Sequence, residues 1–591
     1  MSSRIDFTDP YDSAAPRLRH AFGAPRAVLV AHALAEVRPL LDAVQAAARE
    51  GRWCVGYVRY EAAPAFDAAL AVHAPDGPLA WFAVYDQALP WPDDAHAPAS
   101  AAKVQWNETC LRPAFGAAMD QIQRAIAAGE LYQVNFTAPL LGQWVGQPPD
   151  GAAEALFAAL QRAQPGGYAA FIDAGSEQLL SVSPELFFDW RDGSEDGQIL
   201  ARPMKGTAAR GATPEMDAAQ AQALRASPKE RAENVMIVDL LRNDISRIAE
   251  PFSVQVPALF HTEALPTVWQ MTSDVQARTR PGTTLADVFA ALFPCGSVTG
   301  APKVRAMQTI RRLEPQPRGL YCGAIGVVRP GAQGQGIRAT FNVPIRTVTV
   351  QAGRLRCGIG SGITSGAVPD AEWQEWRNKR QFLERASQPF DLLETLALQE
   401  GQLRHAAEHL QRLASAAAHF GTPWDVARVQ HCLNERVQAH PQGWWRVRLL
   451  LDAQGHASAQ AFAMEPSPTR VRLQLADRPL MEAHGEFVRF KTTRRSHYDA
   501  FIPVEPGVFD TVLWNEEGEI TECTRGNVAM RINGRWVTPP LACGLLPGVG
   551  RALALQGGRL TERVVRVDEV ARVQDWAFLN SLRGWIEAGL T

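Results

Sequence analysis

The sequence predicts an α+β protein of more than one domain, and three observations lead there. Segments with the two-residue alternation of strands are interleaved with segments of helical periodicity along the whole chain. The chain has 591 residues, more than one hydrophobic core usually holds, so roughly three or four units are expected. Apolar residues make up 46% and charged residues 20%, the balance of an ordinary globular protein. A formal charge of −3 gives no electrostatic footprint for nucleic acid or an anionic membrane. Met1-Ser-Ser-Arg-Ile-Asp-Phe7 has no apolar leader, and no run of about 18 apolar residues occurs, so a cytoplasmic chain is expected. The eight cysteines are scattered without a C-x-x-C pair, which argues for neither zinc nor a disulfide framework and fits a thiol-reducing compartment.

Over the first hundred residues, Ala27-Val-Leu-Val-Ala31, Trp53-Cys-Val-Gly-Tyr-Val-Arg-Tyr60 and residues 79–85 read as strands. Residues 39–50 read as a helix with Pro39 at its first position and Gly51 as its stop. The Pro/Ala-rich tract 89–101 reads as a surface connection. Residues 113–128 form an amphipathic helix in which Phe115, Met119, Ile122 and Ile126 share a face, with Gly129 just past its end. Residues 131–137, 170–173, 179–182 and 186–189 read as strands. Residues 227–242 are a long helix, with Ser227 as N-cap, Pro228 at N1 and Glu230 closing a capping box. Glu233 lies one turn on, on the same face, and has no such structural explanation.

Phe293-Pro-Cys-Gly-Ser-Val-Thr-Gly-Ala-Pro-Lys303 is a glycine-rich turn opening a helix to about residue 313, a setting that suits an anion or simply makes a turn. Residues 322–328 and 339–350 read as strands, the latter carrying Arg346. Cys357-Gly-Ile-Gly-Ser-Gly362 reads as a second glycine loop, and Asp370 caps a helix bearing Glu372, Glu375 and Lys379. A boundary falls near Ser387-Gln-Pro389, giving units 1–388 and 389–591. In the second unit, residues 403–420 are a helix ended by Gly421. Residues 445–451 and 471–475 are strands, and 511–521 is a hairpin around an Asn-Glu-Glu-Gly turn.

Only six of the 59 basic residues are lysine: Lys103, Lys205, Lys229, Lys303, Lys379 and Lys491. Where a plain positive charge suffices, this chain uses Arg. A Lys can become a free amine nucleophile, which Arg cannot, although chance survival explains any single lysine equally well. Paired Glu oxygens (Glu233, Glu372, Glu375) suit Mg²⁺, a hard cation that keeps waters and binds substrate oxygens. Glycine loops, Arg346 and Lys205 suit an anionic small molecule. The i, i+4 spacing of Glu375 and Lys379 also fits a solvated pair worth about 0.3–0.5 kcal/mol. Residue types alone therefore point to a Mg²⁺-assisted enzyme acting on a carboxylate- or phosphate-bearing substrate.

Five ordered motifs carry a resemblance: Gly129-Glu-Leu-Tyr-Gln-Val-Asn135, Ser183-Pro-Glu-Leu-Phe187, Pro203-Met-Lys-Gly-Thr207, the segment Arg231 to Asp244, and Gly296-Ser-Val-Thr-Gly-Ala-Pro-Lys303. Over about residues 110–385, with 1–100 as the N-terminal part of the same unit, the chain resembles the chorismate-utilising enzymes. Within them it is similar to component I of aminodeoxychorismate and anthranilate synthases. The resemblance implies an anthranilate synthase component I-like α/β sandwich of large antiparallel sheets. It implies that Glu233 and Glu375 hold Mg²⁺, and that Thr299, Arg346 and the Gly360-Ser361-Gly362 backbone bind the carboxylates of chorismate. Lys379 would neutralise charge near the metal, and Glu185 would be the general acid for the leaving hydroxyl. Gln133 stands where water-activating relatives carry Lys, so ammonia is the expected nucleophile. Lys205 stands where anthranilate synthases usually carry Ala, and the resemblance makes it a covalent nucleophile toward the ring. Trp269-Gln270 departs from the His common in relatives, and Gln270 is left out of the catalytic set.

In the second unit, His409-Leu-Gln-Arg-Leu413, Phe490-Lys-Thr-Thr493, Gly518 to Asn527 and Leu546-Pro-Gly-Val-Gly-Arg551 resemble fold-type IV pyridoxal 5'-phosphate enzymes. That group, of D-amino-acid aminotransferase-like fold with two subdomains, includes branched-chain and D-amino-acid aminotransferases and aminodeoxychorismate lyase. The resemblance implies that Lys491 bonds the cofactor, Glu522 pairs with its ring nitrogen, and Arg412 with Gly548, Val549 and Gly550 grips the phosphate. Two departures stand out: the opening strand and turn before Phe390 are missing, and Gly550 replaces a common Thr.

Together the resemblances imply consecutive steps. Chorismate and ammonia would give 4-amino-4-deoxychorismate, and loss of pyruvate would then give 4-aminobenzoate for folate. No Gly-x-Cys-x-Gly nucleophile setting is visible, so ammonia would come from a separate glutamine amidotransferase subunit. A homodimer through the second domain is left open. Two alternatives also stand: an anthranilate synthase-like unit joined to an aminotransferase-like domain, or joined to a non-catalytic dimerisation domain.

Overall fold

In the computed structural model, residues 1–12, 14–92, 103–193, 197–210, 214–264, 268–331 and 336–591 are described. Most of the tract 89–101 lies outside them. The chain divides into two units, Met1–Gln388 and Pro389–Thr591.

Among the described residues the first unit holds two sheets of ten strands each, all neighbours antiparallel within the paths that matter here. In the first sheet Gln133–Trp144 pairs with Arg354–Ile363 over ten residues, from Arg354 opposite Gln143 to Ile363 opposite Val134. Thr347–Gln351, Glu177–Ser183, Tyr168–Asp173 and Ser3–Phe7 follow in order. The second sheet runs from the edge strand Met204–Ala209 through Val268–Arg278, Gln198–Arg202 and Leu186–Arg191 to Ile337–Asn342 and Ala324–Pro330. Ile5, Ile172 and Leu179 of one sheet share a core with Tyr57, Leu200 and Ile325 of the other, so the inner faces meet as a sandwich.

Helices cover the outer faces. Leu34–Arg49, Pro228–Ser246 and Leu285–Leu292 bury Leu41, Val44, Ile237, Leu241 and Phe289 against the second sheet. Arg112–Ala127, Ala152–Ala163 and Lys303–Leu313 bury Phe115, Ile122, Leu160 and Ile310 against the first. Each such side chain contributes about 1.5–3 kcal/mol by leaving water. Trp190 is fully buried in this core, and Trp190→Ala would cost about 3–5 kcal/mol.

Four local expectations are corrected. The helix expected from Pro39 begins at Leu34, because the Glu36 carboxylate accepts from the His32 and Ala33 N–H groups and so satisfies the helix start earlier. Residues 339–350 are two strands, and Arg346 sits in the break between them with φ +51° rather than on a strand. The segment Cys357 to Gly362 is no loop but the end of the strand Arg354–Ile363. Its alternate residues Gly358, Gly360 and Gly362 share one face, where a Cβ would strike the Tyr321 ring, the Phe136 carbonyl and the Gln133 amide respectively. Finally, Val368 rather than Asp370 is the N-cap of Pro369–Lys379, and Asp370 pairs with Arg112.

In the second unit, a four-stranded sheet around Leu392–Gln399 and Trp444–Leu451 packs on Ala406–Phe420 and Val426–Ala439, burying Leu396, Leu413, Val429 and Val447. An eight-stranded sheet contains Arg470–Leu475, which pairs in parallel with both Asp510–Trp514 and Gly584–Leu590. Val512, Ile520, Val528 and Phe578 form its core. Among the described residues no helix is long and apolar enough to cross a membrane.

Candidate active sites

Lys205 projects from the edge strand Met204–Ala209, and Gln133 begins a strand of the opposing sheet. They converge on Gly362: a Cβ placed there would lie 2.6 Å from Gln133 Nε2 and 2.8 Å from Lys205 Nζ. A side chain there would push the Gln133 amide and the Lys205 amine away, so glycine keeps both groups close to the strand. Gln133 is fully buried, and neither its Nε2 nor its Oε1 has a hydrogen-bond partner. Buried polar groups are normally satisfied, so an amide left open at the meeting point of two sheets marks a place for a ligand. Glu185 is 3% exposed, and its Oε1 is likewise without a partner. Burial holds its carboxyl above the usual range, against the opposing pull of Ser297, Lys205 and the Met204 N–H. A protonated, partly satisfied acid is what a hydroxyl leaving group needs.

Thr299 is fully buried in the turn before Lys303–Leu313. Its Oγ1 donates to the Cys295 carbonyl at 3.0 Å, and its own carbonyl accepts from Asn135 N–H at 2.8 Å. Ser361 faces away from the glycine side of its strand and donates to Glu372 Oε2 at 2.6 Å, while Trp376 Nε1 donates to Ser361 at 3.1 Å. Lys379 reaches Glu375 Oε1 at 2.6 Å and the Gly360 carbonyl at 2.9 Å, so the pair is tied to the site strand although it stays half exposed.

Two helices bring carboxylates together. Glu233 accepts from Thr364 Oγ1 at 3.3 Å, and its pKa is raised by burial and by Glu230. Glu230 is held up by burial and by Glu375 and Glu372, while Glu372 is held up by burial and by Glu375. Burial would also raise Glu375, but Lys379 outweighs it and lowers the group. The capping box at Ser227 is only half formed: Ser227 Oγ accepts from Glu230 N–H, but the Glu230 carboxylate turns toward Gly206, beside Lys205. Glu230 is thus part of the acidic cluster, which its position one turn before Glu233 could have revealed. Four mutually repelling acids suit a divalent cation. Among the described residues, no three side chains close into a metal cage.

The structure does not bring every expected residue together. Arg346 lies 5.9 Å from the Phe382 ring, and burial with the nearby Arg385 lowers it to about 10; no contact found joins it to the Lys205 cluster. Gln270, left out above, has a role: its Nε2 donates to the Gly206 carbonyl at 2.8 Å and its Oε1 accepts from Thr207 at 3.2 Å, clamping the Lys205 strand. A cavity of about 470 Å³ lies elsewhere in the first unit, and its lining includes no expected site residue. Its acids are already paired, Asp76 and Glu177 with Arg59 and Glu314 with Arg318.

In the second unit, burial and then the guanidinium charges of Arg495 and Arg412 push the Lys491 amine down to about 8. Glu522 is 2% exposed, and burial pushes it up to about 7. Its Oε1 accepts from Tyr498 OH at 2.6 Å and its Oε2 from Leu546 N–H at 3.2 Å. Gly548 is the N-cap of Val549–Gln556, a helix start whose first N–H groups suit an anion. A Cβ at Gly548 would collide with Asn527, and one at Gly550 would come within 2.7 Å of the Asn580 carbonyl carbon. The departure from Thr at position 550 therefore has a packing cause. Arg412 donates to Glu394 at 2.8 and 2.7 Å and to the Pro547 carbonyl at 3.1 Å, beside that helix start. Glu394 was missed in the sequence. Burial would raise it, but Arg412 and His409 hold it down to about 2. Its signal was a lone acid in the apolar strand Leu392-Leu-Glu-Thr-Leu-Ala-Leu398. A lysine with a lowered pKa, a buried acid and an anion-binding helix start form a donor set that fits pyridoxal phosphate.

Comparisons with known proteins agree with this division. Residues 11–385 match the chorismate binding enzyme family, and residues 391–588 match amino-transferase class IV. Aminodeoxychorismate synthase component 1 of Klebsiella aerogenes is 42% identical over 299 residues, 49% of this chain and 62% of its own length. The Salmonella typhimurium protein of the same name is 40% identical over 274 residues, 46% of this chain and 57% of its own length. The chain thus spans about three fifths of the length of these relatives. The crystal structure of anthranilate synthase component I from Streptococcus pneumoniae shares the fold, with a TM-score of 0.50 and 23% identity over 64% of this chain and 89% of that one.

Proposed function

Because this chain belongs to the chorismate binding enzyme family through residues 11–385, we propose that it makes 4-aminobenzoate from chorismate and ammonia in two steps, each on its own lysine. The observation that carries this reading is the meeting of Lys205 Nζ and the open Gln133 amide over Gly362. A primary amine there can attack the ring, and a neutral amide beside it cannot deprotonate water.

In the first step Lys205 Nζ bonds to the ring carbon that bears the hydroxyl, and Glu185 gives its proton to that hydroxyl, which leaves as water. Ammonia then bonds to the same carbon, and Lys205 leaves as the amine. The product is 4-amino-4-deoxychorismate. Gln270 keeps the Lys205 strand in place through the Gly206 carbonyl. Thr299 and the strand backbone at Gly360, Ser361 and Gly362 line the carboxylate side, while Arg346 is assigned there by resemblance alone. Glu233 and Glu375 would hold Mg²⁺, with Glu230 and Glu372 beside them and Lys379 balancing charge; the ion would neutralise a substrate carboxylate. Ammonia comes from a separate glutamine amidotransferase, as the component 1 names of the relatives suggest.

In the second step the C-terminal unit eliminates pyruvate. When bound, pyridoxal phosphate draws electrons from the carbon attached to the substrate nitrogen. Lys491 anchors it, then acts as base and acid for the ring proton. Glu522 would pair with its ring nitrogen, and Arg412 with the helix start at Gly548, Val549 and Gly550 would hold its phosphate. Loss of the ring proton and of pyruvate leaves the aromatic amine.

The test is product identity. The purified chain with chorismate, ammonium and pyridoxal phosphate is expected to release 4-aminobenzoate and pyruvate, resolved from its isomer anthranilate by retention and fluorescence. Anthranilate as the main product would overturn the reading.

A further inference from the structure

Two guanidiniums act on Lys491, and only one is neutralised. Arg412 is bound through two nitrogens to the buried Glu394 carboxylate. Arg495 lies four residues beyond Lys491 and, among the described residues, has no acid partner within ion-pair distance; it donates to the Thr524 carbonyl and stacks over the Tyr498 ring at 4.7 Å. Both neighbours lead to Glu522. Thr524 is two residues past it, and the Tyr498 hydroxyl donates to it. Glu522 has a second oxygen turned the other way, toward Leu546 N–H and the loop that leads to the anion-binding helix start. Arg495 is thus half-buried beside Tyr498 and Thr524, where its charge acts on Glu522 without an ion pair to it. A cation held in a part-buried pocket without a counter-ion is stabilised by an anion supplied from outside.

We propose that Arg495 recognises a carboxylate of the amino substrate at the Lys491 site, fixing the orientation in which the substrate's amine meets the cofactor. The ligand class is a primary amine that also bears a carboxylate, and the guanidinium fork binds it through paired N–H donors. Arg412 serves the cofactor and Arg495 the substrate. This assignment rests on the reading of the second unit as a pyridoxal phosphate site.

The test uses the full-length chain as wild type, Arg495→Met and Arg495→Lys. Two quantities are measured: KM for supplied aminodeoxychorismate in release of 4-aminobenzoate, and Kd for pyridoxal phosphate by absorbance titration. We expect KM to rise at least about tenfold in Arg495→Met and less in Arg495→Lys, with Kd for the cofactor within about twofold of wild type, since a lost charge-assisted contact is worth roughly 1.5–3 kcal/mol, or about 10- to 150-fold. An unchanged KM overturns the proposal. So does a weakened cofactor Kd at unchanged KM, which would make Arg495 a phosphate ligand. A wild-type chain that binds cofactor but does not turn over aminodeoxychorismate would sink the lyase reading instead. Arg495 is then judged by the change in bound-cofactor absorbance on adding L-glutamate or D-alanine. Arg495→Met should need at least about tenfold more of either; an equal requirement, or no response in wild type, overturns the proposal.

Discussion

Lys205 and Lys491 are the same residue in opposite surroundings. Lys205 lies in the field of Glu185, Glu230, Glu233 and Glu375, whereas Lys491 lies in the field of Arg495 and Arg412, which act on it more strongly than Glu394 and Glu522 do. An acid-rich site calls for a cation, and a cation-rich site calls for phosphate or carboxylate. On the proposed reading the first unit would hold Mg²⁺ and a substrate bound to it, and the second pyridoxal phosphate and an amino acid-like substrate. The difference lies in the neighbours, and each neighbour is a place to break or sharpen the contrast.

The largest effects should come from the lysines themselves. Lys205→Ala is expected to lower amination of chorismate by at least about a thousandfold, the scale for a lost nucleophile, while supplied aminodeoxychorismate is still converted within about twofold of wild type. Glu185→Gln should lower amination by about 10²–10⁴-fold. Glu185 acts protonated and its pKa is raised, so the wild-type rate should hold above the ordinary carboxylate range and fall as pH rises through the raised value. A pH profile of amination by Glu185→Gln that keeps this fall would show that another group titrates.

Glu394 tests the second site through stability. It is 1% exposed and holds both Arg412 and His409, so Glu394→Ala leaves the part-buried Arg412 charge unmatched and the buried His409 Nδ1 without its partner, and should cost about 3–5 kcal/mol in urea unfolding. Its folded pKa of about 2 lies below its ordinary 4.5, so its contribution is fully present above pH 4.5 and is lost as pH falls through about 2. An equal acid sensitivity in Glu394→Ala would refute that link. The smallest effect belongs to Gln270. Gln270→Leu removes two hydrogen bonds at the Lys205 strand, each worth about 0.5–1.5 kcal/mol, and should slow amination about tenfold without touching the second step.

The helices at Arg112–Ala127, Pro228–Ser246 and Ala406–Phe420 and strands such as Trp53–Val58 and Trp444–Leu451 were legible in the sequence, because periodicity is local, whereas Ala152–Ala163, Leu285–Leu292 and Val426–Ala439 were not read as helices. What failed was non-local. Gly358, Gly360 and Gly362 look like a loop until the strand they face is known, since their purpose is close approach by Tyr321, Phe136 and Gln133. Glu230 satisfied a local capping pattern, yet its carboxylate is drawn toward the Lys205 strand. Arg346 sits where the chain breaks between strands, which alternation alone does not show. Glu394 is invisible as a site residue until Arg412 and His409, on a later helix, fold against it.

The central claim, two lysines serving consecutive reactions in one chain, is tested most directly by mixing variants. Lys205→Ala and Lys491→Ala, each incubated alone with chorismate, ammonium and pyridoxal phosphate, should release no 4-aminobenzoate, with Lys491→Ala accumulating aminodeoxychorismate; mixed together, they should restore 4-aminobenzoate. Release of 4-aminobenzoate at the wild-type rate by either variant alone, or silence of the mixture beside an active wild type, would contradict the account.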